Sequence, residues 1–181
     1  MTYKPVLLVV ASEGYQQIEY SQTKKALEAA GLFIKVASNN TIPAIAKDGS
    51  TVAVDLLLSA VDTKQYSGVL FIGGPGTMEN LDNEVSYRII KQADTNQIPI
   101  GAICMATRIL ANAGILTDRR ATGFDGDGML SSIFKNYDIE YVHSPVVVDG
   151  LIITATGPEA ATQFGTQAAQ LIKKIHPSIV S

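Results

Sequence analysis

The chain has 181 residues, 46% of them hydrophobic and 17% charged, which suits one folded domain and differs from the charge-rich composition of disordered chains. Its formal charge of −3 argues against a nucleic-acid-binding surface, which needs clustered lysine and arginine. One cysteine excludes an internal disulfide, and no apolar stretch approaches the roughly 20 residues of a membrane span. We expect a single cytoplasmic domain over residues 1–181, with no signal peptide and no contact with nucleic acid or membranes.

The first half of the chain alternates short apolar runs with longer amphipathic ones. The apolar runs predict buried strands at Pro5–Ala11, Leu32–Ala37 and Gly68–Ile72. Helical spacing of apolar residues predicts helices over Gln17–Ala30 and Asn83–Asn96. The alternating segment Thr51–Asp55, which follows a turn at Asp48–Gly49, predicts a peripheral hairpin strand.

The second half continues the same alternation. Strands are predicted at Ile98–Ile103, Arg120–Gly123, Ser144–Val148 and Leu151–Thr154. Helices are predicted over Met105–Ala113, Gly128–Lys135 and Gly157–Ile175. Strands and helices that alternate in this way predict an α/β fold with a mostly parallel sheet and helices on both faces.

Ligands of such sheets bind beyond the carboxyl ends of the strands, where three loops of this chain are expected to meet. These loops are Ser12–Glu19, Gly73–Gly76 and the segment that begins at Cys104. A tight strand-to-helix turn needs small residues two places on either side of its centre, and here both are alanine, Ala102 and Ala106. We interpret Cys104 as a nucleophile whose pKa is lowered by the helix terminus; a buried, inert cysteine is the alternative.

Three further residues complete the predicted site. Glu19 is expected to face the thiol and share a proton with it, although a helix-capping role is the alternative. The backbone amides of Gly74 and Met105 are predicted to stabilise an oxyanion; the alternative for the glycine-rich segment is a turn that binds no ligand. His143 and His176 lack metal-ligand spacing, so neither a metal nor a cofactor is expected.

Several segments together resemble the PfpI/ThiJ family, to which the Parkinson-associated deglycase belongs. They are Gly101–Cys104, Ala113–Leu116, Arg119–Thr122 and Val146–Gly150, and they occur in the family's order within a likeness that runs from about Lys4 to Ile175. The resemblance implies a flavodoxin-like three-layer sandwich and a homodimer. It also implies a cysteine on the elbow that is contacted by an acidic residue of the first loop, and these positions match Cys104 and Glu19. The family's oxyanion amides match those of Gly74 and Met105.

The chain departs from the family at its histidines. Protease-like members place histidine directly after the cysteine, where this chain has Met105, and the deglycase members place one at a position that matches Phe124. A Cys-His peptidase needs that base, so peptidase activity is not expected. Thr156–Glu159 also lacks the His-x-Glu of the glutamine amidotransferase relatives. The isocyanide hydratase branch, which resembles Tyr15–Glu19, works without histidine, but it has aspartate as its acid and threonine after the cysteine.

The leading hypothesis is therefore a glyoxalase- or deglycase-like enzyme for small electrophilic carbonyls, with Cys104 as nucleophile and Glu19 as proton shuttle. An isocyanide hydratase is the enzymatic alternative. A non-enzymatic redox or stress sensor that oxidises at Cys104, or a binding module with a vestigial site, stays open. Tyr15, Phe124 and Asp125 are candidate substrate-binding residues, and Tyr15 or Asp125 is a candidate replacement for the histidine.

Overall fold

A seven-stranded sheet forms the centre of the structure, a computed structural model that describes residues 4–40 and 42–177. The strands, numbered in chain order, are β1 Val6–Val10, β2 Glu13–Tyr15, β3 Ile34–Ser38, β4 Ala44–Ala46, β5 Thr51–Val52, β6 Leu56–Leu57, β7 Gly68–Phe71, β8 Ile100–Ile103, β9 Arg120–Ala121, β10 Glu140–Tyr141, β11 Val146–Asp149 and β12 Ile152–Ala155. The helices are α1 Gln17–Ala29, α2 Thr77–Leu81, α3 Glu84–Thr95, α4 Thr107–Asn112, α5 Leu130–Asn136 and α6 Ala161–Ile175.

The central sheet has the strand order β11-β12-β8-β7-β1-β3-β6. All neighbouring strands run parallel except β11, which pairs antiparallel with β12 at one edge. Strands β1, β7 and β8 are buried along their whole length, as expected for strands covered on both faces. Because these three strands are neighbours, the loops that follow them lie at the same edge of the sheet.

Helices cover both faces of the sheet, which gives the predicted three-layer α/β sandwich. Helices α1 and α6 pack against each other, as do α3 and α4. The contact between α1 and α6 is close because Gly165 has no side chain: a Cβ there would lie 2.8 Å from Ala26 Cβ and 2.9 Å from the Thr23 carbonyl oxygen. This packing fixes the position of α1, whose first turn carries Glu19.

A second, three-stranded sheet of the order β2-β4-β5 lies beside the first loop. Strands β4 and β5 form the predicted hairpin around the turn at Asp48–Gly49, and β2 pairs parallel with β4. The sequence pattern did not predict β2 or β4, since each has only three residues. In both cases pairing with a neighbour, rather than local preference, makes the segment a strand.

The predicted helix over Met105–Ala113 has a different start. A 3-10 turn, Cys104–Ala106, precedes α4, so the nucleophile candidate is itself the first helical residue. The helix α2 follows the Gly73–Gly76 turn directly and was not predicted, because its five residues are too few for a periodic signal.

Within the described parts of the chain, no helix is both long enough and apolar enough to cross a bilayer.

Candidate active site

Three loops meet at the carboxyl ends of β1, β7 and β8, and two backbone hydrogen bonds join the first loop to the second. The Gln16 amide donates to the Gly73 carbonyl oxygen at 2.8 Å, and the Gly76 amide donates to the Gly14 carbonyl oxygen at 3.0 Å. Gly74 adopts φ +136°, where a Cβ would lie 2.5 Å from the Gln16 nitrogen. These contacts require glycine and hold the loop before α1 against the turn after β7.

Cys104 has the strained backbone of a nucleophile elbow. Its φ is +61°, in the left-handed region that residues with a side chain seldom adopt, at a cost of roughly 1–2 kcal/mol. Ala102 and Ala106, two residues before and after it, are fully buried. The Cys104 side chain is only 7% exposed, which limits direct access to small reactants.

Gly73 creates the space in which Cys104 and Glu19 meet. A Cβ at Gly73 would lie 2.7 Å from both Cys104 Cβ and Glu19 Oε2, and 2.6 Å from the Ile103 carbonyl oxygen. The Gly73 amide donates to Glu19 Oε2 at 2.9 Å. The sequence singled out Gly74 in this turn but gave no sign of this bond, because its partners are 54 residues apart.

Glu19 lies in the first turn of α1 and is completely buried. Burial raises the pKa of its carboxyl group to about 7, although the Cys104 thiol, the Gly73 amide and the charge of Lys47 each act in the opposite direction. The thiol is a polar neighbour of the carboxyl group, whose Oε1 atom has no hydrogen-bond partner among the described residues. A carboxyl group with this pKa exchanges its proton readily at neutral pH.

The expectation that the Cys104 thiol has a lowered pKa is wrong in direction, although the amide at the helix terminus does act in the expected sense. Burial raises the pKa strongly, and the charge of Glu19 raises it further; the Met105 amide and the charge of Arg108 lower it only in part. The first turn is 3-10 and α4 has only six residues, so the helix dipole is too weak to offset burial. From neutral to moderately alkaline pH the thiol and the carboxyl group therefore hold one proton between them.

The two amides predicted to form an oxyanion hole differ in their surroundings. The Gly74 amide has no acceptor within residues 4–40 and 42–177. The Met105 amide points to the Cys104 sulfur, where it favours the thiolate. Of the two amides, only that of Met105 is in contact with the thiol in the described part of the chain, and the role of both amides toward a substrate oxygen stays a prediction.

The three candidate substrate-binding residues have different environments. Tyr15 is buried against the ring of Tyr20, and its hydroxyl group interacts with Ser50. Asp125 accepts a hydrogen bond from the Leu130 amide at 2.8 Å, at the start of α5. Phe124 is half-buried, and its amide donates to the Cys104 carbonyl oxygen at 3.3 Å. Of these three described residues, only Phe124 hydrogen-bonds to the elbow, and the substrate role of all three stays a prediction.

Arg108 is a charged residue of this site that sequence reasoning missed. It lies on α4, four residues after Cys104, and its side chain is 8% exposed. Its Nη2 atom donates to Asp127 Oδ1 at 2.7 Å and to the Phe124 carbonyl oxygen at 3.2 Å. Arginine four residues after a nucleophile lies one helical turn away from it, and this spacing was the signal available in the sequence.

The large surface cavities lie away from this cysteine. Cavities of about 590 and 640 Å³ are lined by residues of α3 and by the surroundings of Phe33, and neither includes Cys104 or Glu19. The candidate site is therefore defined by the buried thiol and carboxyl group and not by a large cavity. Among the residues that the structure describes, no cluster of three or more His, Cys, Asp or Glu side chains could hold a metal ion.

Comparison with known proteins gives a consistent result. A family model described as DJ-1/PfpI family matches residues 4–171. An uncharacterized protein of Methanocaldococcus jannaschii is 29% identical over 93% of this chain and 82% of its own length. A protein of Pyrococcus abyssi named deglycase is 27% identical over 92% of this chain and 99% of its own. The crystal structure of a ThiJ/PfpI domain protein from Brachyspira murdochii matches with a TM-score of 0.90 and 29% identity, over 96% of this chain and 99% of that one.

Proposed function

Because this chain belongs to the DJ-1/PfpI family, we propose that it is a cysteine-dependent enzyme of the glyoxalase and deglycase type. Its substrates are small electrophilic carbonyl compounds, namely α-oxoaldehydes or their adducts with amines and thiols. The observation that carries the proposal is the Cys104 thiol on a strained elbow, facing a buried Glu19 whose pKa is about 7. Relatives named deglycase support an enzymatic function of this kind.

The pair supplies the first step of such a reaction without a histidine. Ionised Glu19 removes the proton from the Cys104 thiol as the sulfur bonds to the aldehyde carbon, and the carbonyl oxygen takes up the negative charge. The free amide of Gly74 and the amide of Met105 are the donors available to that oxygen. Activation at the moment of attack removes the need for a stable thiolate, which the burial of Cys104 disfavours.

Glu19 returns the thiol proton to the new alkoxide, which completes a neutral hemithioacetal and ionises the carboxyl group again. For methylglyoxal, Glu19 then removes the proton from the former aldehyde carbon and delivers it to the former ketone carbon, while the hydroxyl proton passes between the two oxygens of the enediol. The first carbon is oxidised, the second is reduced, and a thioester of lactate is left on sulfur. Water hydrolyses the thioester, so the net reaction consumes one water molecule and regenerates the thiol. One carboxyl group with a pKa near 7 is suited to both accepting and donating the proton.

Lactate production from methylglyoxal tests this proposal. We expect turnover by the unchanged protein and none by Cys104→Ser, because a buried serine hydroxyl is a far poorer nucleophile than the thiol. The turnover should rise with pH through about 7, where Glu19 ionises, and Glu19→Gln should lose both most of the activity and this rise.

Glu28→Gln is the matched control, since Glu28 lies on the same helix in a half-exposed pair with Lys24 and should leave turnover unchanged. Equal activity of the unchanged protein and Cys104→Ser would contradict the proposal.

The redox-sensor alternative is less well supported by the thiol's environment. Peroxide reacts with thiolate, and burial together with the charge of Glu19 keeps this thiol protonated. The isocyanide hydratase alternative uses the same thiol and the same proton carrier. Offering an alkyl isocyanide in place of methylglyoxal, and measuring the N-alkyl formamide formed, distinguishes the two enzymes.

A further inference from the structure

A buried guanidinium group lies one helical turn beyond the nucleophile. Arg108 buries its side chain almost completely, and a charge that leaves water needs a partner to offset the loss of hydration. Its partner is Asp127, which follows β9 in the loop before α5 and is 38% exposed. The ion pair therefore joins α4 to a loop that is 19 residues further along the chain.

The same guanidinium group holds the peptide of Phe124 against the elbow. The Phe124 carbonyl oxygen accepts from Arg108, while its amide donates to the Cys104 carbonyl oxygen. The Thr107 amide donates to that same carbonyl oxygen. The peptide after the nucleophile is thus held from two sides, and Arg108 is the only side chain among the described residues that bonds to Phe124.

Asp127 is itself fixed by the chain that follows it. Its Oδ1 atom accepts from the Met129 amide at 3.1 Å in addition to Arg108. The Arg108 Nε atom, in contrast, is buried without an acceptor in the described part of the chain. One donor of the buried guanidinium group is therefore unsatisfied, and Asp127 is the partner of its charge.

That charge acts on the thiol. Arg108 lowers the pKa of Cys104, against the larger effects of burial and of Glu19. The charged groups of this region come from four elements. Glu19 from α1 and Arg108 from α4 act on the thiol, Lys47 from the turn after β4 acts on Glu19, and Asp127 from the loop before α5 pairs with Arg108. Of the two cations, only Arg108 is buried.

We propose that Arg108 is a positioning residue of this site: paired with Asp127, it holds the backbone of Phe124 against the nucleophile elbow and places a buried positive charge one helical turn beyond Cys104. The inference deepens the proposed function, since a cation at this place stabilises the negative charge that develops on the Cys104 sulfur during attack. It assigns no contact with substrate to Arg108.

The pH dependence of Cys104 alkylation by iodoacetamide, followed by intact mass, tests this proposal in the full-length protein. Arg108→Gln removes a positive charge, so the alkylation profile should move to higher pH by about half a unit or more, which is about threefold slower reaction at a fixed pH. Asp127→Asn removes the neutralising charge and should move the profile to lower pH. A purely structural clamp would instead move both profiles in the same direction or not at all, which would overturn the proposal.

Two further variants separate charge from folding. Arg108→Lys keeps the charge and should keep the profile of the unchanged protein within about 0.2 pH units. Arg120→Gln, which breaks an exposed pair with Glu140, is the control and should move nothing. If Arg108→Gln does not fold, Asp127→Asn alone decides, because only a shift to lower pH is compatible with the proposal. Alkylation needs no substrate, so its result stands even if methylglyoxal is not turned over.

Discussion

The buried carboxyl group of Glu19 connects the chemistry of Cys104 with the stability of the fold. A carboxyl group whose pKa is about 7 in the folded chain and 4.5 when solvated binds its proton more tightly in the folded state. Its stabilising contribution is therefore complete below pH 4.5 and is lost as the pH rises through about 7. The residue that is most useful as a base above neutral pH thus destabilises the protein there.

This gives a prediction at the residue scale. Relative to Glu19→Gln, the unchanged protein should lose about 3 kcal/mol of unfolding free energy between pH 4.5 and 8, because only the carboxyl group must ionise in a buried site. Urea unfolding of both proteins at a series of pH values, with reductant present, measures the difference. The control Glu28→Gln, exposed on the same helix, should follow the unchanged protein within a few tenths of a kcal/mol. A difference that does not change with pH would contradict the assignment.

How much of the site the sequence could reveal also depends on the residue. Cys104 and Glu19 could be proposed from the sequence because each lies at a recognisable local place, a strand-to-helix turn and the first turn of a helix. The Gly73 bond to Glu19 and the clamp of Arg108 on Asp127 join residues 54 and 19 positions apart, and no local pattern encodes such contacts. The direction of the thiol's pKa was missed for a related reason, since it follows from burial by the whole fold.

At the scale of elements, the Gly73–Gly76 turn determines how closely α1 approaches β8. Gly73 of this turn has no side chain, and the space that a Cβ would fill is where Glu19 and Cys104 come together. The remote contact of α6 with α1 at Gly165 supports the same geometry from the other side of the helix. Position and protonation of the carboxyl group are thus properties of three packed elements, which is why neither could be derived from α1 alone.

Gly73→Ala tests this role of the turn. The added methyl group would collide with Cys104 Cβ, Glu19 Oε2 and the Ile103 carbonyl oxygen, so we expect about 1–3 kcal/mol of destabilisation and a loss of turnover of about a hundredfold. Thermal unfolding and methylglyoxal turnover measure the two effects. Gly157→Ala is the control, since nothing lies within 4 Å of its added Cβ and its φ of 163° is accessible to any residue. Equal thermal stability and equal turnover of the two variants would contradict this role of the turn.

At the scale of the whole molecule, the sheet was predictable because buried parallel strands leave continuous apolar runs in the sequence. Val6–Val10, Gly68–Phe71 and Ile100–Ile103 follow this pattern, and the structure confirms all three. The short strands β2, β9 and β10 depend on pairing partners instead, so their limits could not be read in advance. The homodimer expected from the family resemblance stays a prediction.

The predicted single domain leads to an expectation for unfolding. Helices α1 and α6 come from opposite ends of the chain and pack on each other, so neither half has a complete core of its own. Urea unfolding should therefore be one transition, with the same midpoint for far-ultraviolet circular dichroism, for tyrosine fluorescence and for exposure of the Cys104 thiol. Separate midpoints would contradict the assignment of residues 1–181 to one domain.

The left-handed backbone of Cys104 also has an evolutionary consequence. Glycine would relieve the backbone strain at this position, but it would also remove a buried side chain and its thiol. If the proposed chemistry holds, selection on the sulfur is what keeps a strained residue at this position. A redesign that scores backbone strain alone would then select against Cys104 and so against the proposed activity.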